Sequence, residues 1–130
     1  MRLIRKGCYQ MVKEINEVQK LQFELMKKAT FNLFNGSKVV ADLEEHKDLW
    51  QGAIMKRDDL IPLRDISDNY WNIDTLYILV EAGKEKALER LVKKWDADEV
   101  SWLNSENAHG LLGVGNNEDY SKKVLSIWWD

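Results

Sequence analysis

Adjacent residues of an extended strand point to opposite faces of a sheet, so a strand that is apolar at consecutive positions has to be covered twice. This chain carries such a segment in Ile127-Trp128-Trp129-Asp130, where two of its six tryptophans stand side by side. In a strand, Trp128 shares one face with Val124 and Ser126, whereas Trp129 shares the other with Leu125 and Ile127. The run Thr75-Leu76-Tyr77-Ile78-Leu79-Val80 repeats the pattern, opposing Leu76, Ile78 and Val80 to Tyr77 and Leu79. Both strands therefore belong to a sheet with two apolar faces. Helices packed on either side within the monomer satisfy that requirement. The alternative is a face left partly open as a dimer interface or ligand groove, lined by Tyr77, Trp102 and one of Trp128 or Trp129.

The remaining elements follow from periodicity. From Tyr9 to Asn35 apolar residues recur at Met11, Ile15, Val18, Leu25, Ala29 and Leu33, beside a second row at Phe23, Met26, Thr30 and Phe34. These steps of three and four predict a long amphipathic helix, stopped by Gly36, with Ser37 opening the next helix. Val39, Val40, Leu43, Trp50, Ala53 and Ile54 extend that second helix to about Arg57, although Gly52 weakens it. Pro62 and the acids of residues 58–73 mark an irregular connector. A strand at Thr75–Val80 leads to a helix carrying Ala87, Leu88, Leu91, Val92 and Trp95, then to a strand over Glu99–Leu103. Turn chemistry at Ser105-Glu106-Asn107 and Gly115-Asn116-Asn117-Glu118 brackets a Gly-weakened strand over His109–Val114, and the last strand covers Lys122–Trp129.

The predicted fold is α+β, in the order α-α-β-α-β-β-β. A helical hairpin (1–57) and the acidic connector (58–73) precede a four-stranded mixed sheet with its crossover helix (74–130). All 130 residues form a single domain with no visible internal repeat. The element order partly resembles a split ferredoxin-like arrangement, a likeness that carries no activity with it.

Composition narrows the function classes. With 45% hydrophobic and 32% charged residues the chain reads as globular and soluble. Its net charge of −3, from 19 basic and 22 acidic residues with the signs interleaved, argues against a duplex-binding protein and its basic stripe. The lone Cys8 forms no internal disulfide and fits a reducing compartment. The basic residues Arg2, Arg5 and Lys6 are followed by Lys13, Glu14 and Glu17 rather than the apolar stretch of a signal peptide. Leu76 to Val80, the longest apolar run, is too short to span a bilayer. A cytoplasmic location without membrane association is expected.

The constellations that could carry chemistry each have a simpler reading. Asp42, Glu45 and His46 stand at helical spacings and could converge with Glu17 or Glu24 on a metal, but the paired Glu-x-x-His motif is missing because position 43 is Leu. His109-Gly110-Leu111-Leu112-Gly113-Val114-Gly115-Asn116 has the glycines of a phosphate loop without the spacing or a following helix, and His109 near Glu106 lacks a nucleophile. Asp58, Asp59, Asp65, Asp68 and Asp74 lack the alternation of a calcium loop. No catalytic residue, metal ligand or cofactor is assigned. The expected function is a non-enzymatic protein-binding or regulatory module, acting on a protein partner or by self-association through Tyr77, Trp102, His109, Trp128 and Trp129. The alternative is a small-molecule-binding protein or enzyme with a pocket between sheet and helical hairpin, using His109 or His46.

Overall fold

The computed structural model describes residues 14–31, 33–57, 63–71, 73–115 and 122–130. Their order is α1 (Glu17–Lys28), β1 (Thr30–Phe31), β2 (Phe34–Asn35), α2 (Gly36–Glu45), β3 (Trp50–Met55), α3 (Leu63–Ser67), β4 (Thr75–Val80), α4 (Glu85–Val92), β5 (Glu99–Trp102), α5 (Ser105–Leu112) and β6 (Val124–Trp128). A single 3-10 turn, Lys93–Trp95, prolongs α4.

Helix α1 starts where the Asn16 side chain accepts the Gln19 N–H at 2.8 Å, and Glu17 and Lys27–Lys28 suit the two ends of its dipole. It buries Phe23 and Met26. Asn35 caps α2 through the Lys38 N–H. Between the two helices the tiny β1–β2 hairpin turns the chain back, so that Gly36 abuts the end of α1. A Cβ on Gly36 would lie 1.8 Å from the Met26 carbonyl oxygen, so only glycine lets the two helices approach this closely.

The sheet runs β3-β4-β6-β5 and every neighbouring pair is antiparallel. Strands β4 and β5, joined through α4, both pair with β6, which lies between them. That split β-α-β unit is the ferredoxin-like part of the order. One face, carrying Leu76, Ile78, Val80, Leu125, Ile127 and Trp129, meets Phe23 and Met26 of α1, Val39, Val40 and Leu43 of α2, and Leu88, Leu91 and Val92 of α4. The other carries Tyr77 and Val124, packed against Ala108 and Leu112 of α5.

The α+β class and the four-stranded sheet stand as expected, and four differences have local causes. First, the sheet is antiparallel throughout rather than mixed, because β6 separates the two strands that the crossover links. Second, the expected second helix stops at Glu45 and Trp50–Met55 is strand β3. A register shift between Trp50 and Gly52 disguised its alternation, in which Trp50, Ala53 and Met55 are buried. Third, the expected strand over His109–Val114 is mostly helix α5, capped by Asn104 and ended by Gly113 at φ 67. Fourth, the long first helix is shorter within the described residues, and its buried row is Phe23 and Met26, leaving Val18, Leu21 and Leu25 exposed. Both N-terminal helices lie on the same sheet face as α4, and α5 supplies the opposite cover.

The two sheet edges are treated differently. On β3 the outward backbone groups are taken by α1: Gln19 accepts the Ala53 N–H at 2.9 Å and donates to the Ala53 carbonyl at 2.7 Å, while Gln22 accepts the Met55 N–H at 3.1 Å. The side-chain amides thus stand in for a further strand. On the opposite edge, Glu99, Val100 and Ser101 of β5 are exposed.

Two substitutions test these contacts in urea unfolding. Gly36→Ala should lower stability by about 3 kcal/mol, at the upper end for overpacking against a rigid neighbour. Gln19→Ala should cost about 1 to 2 kcal/mol through the two hydrogen bonds lost at Ala53.

Candidate functional site

Position along β6 separates the tryptophan pair. Trp129 is fully buried, its indole N–H donates to the Trp95 carbonyl at 2.9 Å, and its ring meets Phe34 edge-on at 4.5 Å. It is therefore core, joining the end of the sheet to α4 and the hairpin. Trp128 faces the α5 side and is half-buried, opposite Thr75 on one neighbour and Glu99 on the other.

The α5 side holds a recess lined by apolar residues. Ile54 of β3, Tyr77 and Leu79 of β4, Val124 of β6, and Leu112 and Val114 from the end of α5 surround about 200 Å³. Ile54 forms its exposed rim and Tyr77 its buried floor. Such a hollow offers hydrophobic contact to an inserted side chain, and its volume falls below the roughly 300–1,000 Å³ typical of small-molecule sites.

Trp102 points the other way, towards α4, and its indole N–H donates to Glu89 Oε2 at 2.6 Å. It separates two shallow hollows along the β5 edge. One, of about 320 Å³, lies between Val92, Lys93, Val100 and Leu125; the other, of about 530 Å³, lies among Glu85, Lys86, Asn104, Ser105, Lys122 and Lys123. The five site residues inferred from sequence thus occupy several places. Tyr77 and Trp128 share the α5 face, Trp102 sits at the α4–β5 seam, Trp129 is core, and His109 is exposed on α5.

Compared with known proteins, the chain matches no family model, no curated protein and no solved structure at a significant level.

The two histidines are on opposite sides of the sheet. His109 Nδ1 donates to the Gly115 carbonyl at 3.0 Å, fastening the chain after α5, and His46 follows the last turn of α2 with its N–H on the Asp42 carbonyl. Neither lines the three hollows described above. Asp42 accepts the indole N–H of Trp95 at 2.8 Å, a structural tie between α2 and the turn after α4. Among the described residues no three His, Cys, Asp or Glu side chains gather where a metal ion could be held, and none of the helices is long and apolar enough to cross a membrane. Cys8, Asp58 and Asp59 lie outside the described residues.

Sequence reasoning missed Ile54, Leu112 and Val114, because it read residue 54 as helical and residues 112–114 as strand. The one available signal was the Asn104 and Gly113 pair, which bracket a helix of the observed length.

The environments of the adjacent tryptophans predict unequal costs. Trp129→Ala should destabilise the fold by about 4 kcal/mol, within the range for a fully buried tryptophan. Trp128→Ala should cost less than about half of that because part of its ring remains in water. Thermal unfolding of the two variants measures the difference.

Proposed function

We propose that this chain is a non-enzymatic, cytoplasmic protein-binding module that receives an apolar side chain of its partner on the α5 side of the sheet. The observation that carries this reading is the recess between Ile54, Tyr77, Leu79, Leu112 and Val124, which is apolar and about one large side chain in size. An inserted anchor would gain the hydrophobic contact of a binding hot spot, and the half-buried Trp128 lies on the same face, beyond Ser126. The alternative of a small-molecule site served by His46 or His109 draws less support. The space between the sheet and α1–α2 is filled by Phe23, Met26, Val40 and Leu43.

Panning a random peptide display library on the chain tests the reading. Selected peptides should share an aromatic or large aliphatic anchor. Ile54→Lys, which places a charge on the exposed rim, should weaken them at least about tenfold without shifting the thermal midpoint. Peptides that bind the variant as tightly as the parent would overturn it.

A further inference from the structure

We infer that the open edge of β5 pairs with β5 of a second copy of this chain, antiparallel about a twofold axis through Ser101. The four strands of each copy then form one continuous sheet. The hydrogen-bond parity makes this edge self-complementary. The Leu103 N–H donates to the Val124 carbonyl at 3.0 Å, and β5 and β6 pair residue for residue from Glu99 to Trp102. The alternate residues Ser101 and Leu103 therefore bond inward to β6, while the N–H and C=O groups of Val100 and Trp102 point to the edge. Pairing about Ser101 sets Val100 against Trp102 of the second copy and Trp102 against its Val100. All the outward groups of these two residues are then used.

The side chains agree with that register. Glu99 falls opposite Leu103 and Ser101 opposite itself, so no like charges meet across the seam. Val100, 45% exposed, is covered by the second copy's Trp102. Helix α4 runs antiparallel to β5. Glu85 and Lys86 share a hollow with Asn104 and Ser105, Glu89 bonds Trp102, and Lys93 shares its hollow with Val100. The twofold axis consequently turns Glu89 of each copy towards Lys93 of the other. Among the described residues the β3 edge is less available for this, because Gln19 takes the outward N–H and carbonyl of Ala53 and Gln22 takes the N–H of Met55. Pairing through a single open edge closes as a dimer instead of continuing as a fibre.

The inference stands apart from the recess reading, since Ile54→Lys should leave the dimer intact. Sedimentation equilibrium of the full chain from about 1 µM to about 1 mM should show a monomer–dimer equilibrium. Ser101→Lys puts two ammonium groups face to face at the axis and should weaken association at least about tenfold, with an unchanged thermal midpoint at dilutions where the parent is monomeric, because Ser101 is exposed in the monomer. Val100→Pro removes an outward N–H without touching the bonds to β6 and should act likewise. In a Cys8→Ser background, Ser101→Cys should form a disulfide-linked dimer with oxidised glutathione, because residues facing each other in a non-hydrogen-bonded antiparallel pair have Cα atoms about 4.5 Å apart. Glu99→Cys, whose copies do not face each other, should stay unlinked. A parent chain that remains monomeric throughout, variants that dimerise as the parent does, or equal cross-linking at positions 99 and 101 would each overturn the inference.

Discussion

Strand β6 is bonded on both sides, to β4 and to β5, and every other layer of the molecule depends on that insertion. Before β6 enters, β4 and β5 are two strands joined by a crossover helix with a strand-wide gap between them. Filling the gap needs a segment more than forty residues along the chain from β4, so the sheet is closed by non-local contacts and pays its loop entropy before the core is complete. The insertion also fixes the two apolar faces. Leu125 and Ile127 complete the α1–α2–α4 core, and Val124 completes the smaller one under α5.

Indole N–H groups tie the helices to that sheet and to one another. Trp50 donates to the Leu43 carbonyl in the last turn of α2 at 2.8 Å, Trp95 to Asp42, Trp102 to Glu89 and Trp129 to the Trp95 carbonyl. Each ring brings a large buried area and one directed bond, a combination aliphatic side chains lack. The bonds to Asp42 and Glu89 also give two carboxylates a structural partner, which explains the acid in the Asp42–Glu45–His46 cluster without any metal chemistry. The tryptophan content is thus largely an architectural property.

The elements legible in the sequence were those with one clean period. Residues Thr75–Val80, the α4 stripe and the last strand lie where their patterns put them, and the demand for two covers was sound. What failed had competing signals. Helix α1 carries two apolar rows, and only its seat beside β3 selects Phe23 and Met26 over Val18 and Leu25. In β3 the register shift breaks the alternation that identifies a strand, and in α5 the glycines at 110, 113 and 115 outweighed the Asn104 cap. The recess is built from these misread segments, so its lining could not be read in advance. Tyr77 was found because its strand was plain; Ile54 and Leu112 were not, because theirs were not.

The partial cover on the α5 side follows from the sizes of the described elements. A helix of eight residues is about 12 Å long and, with side chains, about 10 Å wide, giving a footprint on the order of 120 Å². Four strands at about 4.8 Å spacing with four to six residues at about 3.3 Å rise present roughly 300 Å². Among the described residues three helices share the opposite face, and α5 has this one to itself. It therefore shields Val124 and Tyr77 but stops short of Ile54 at the β3 side, and the recess opens where its coverage ends. A single added helical turn at Gly113 would reach over Val114, but the left-handed backbone there, at φ 67, ends the helix and leaves the floor at Tyr77 and Leu79 within reach of a side chain from outside.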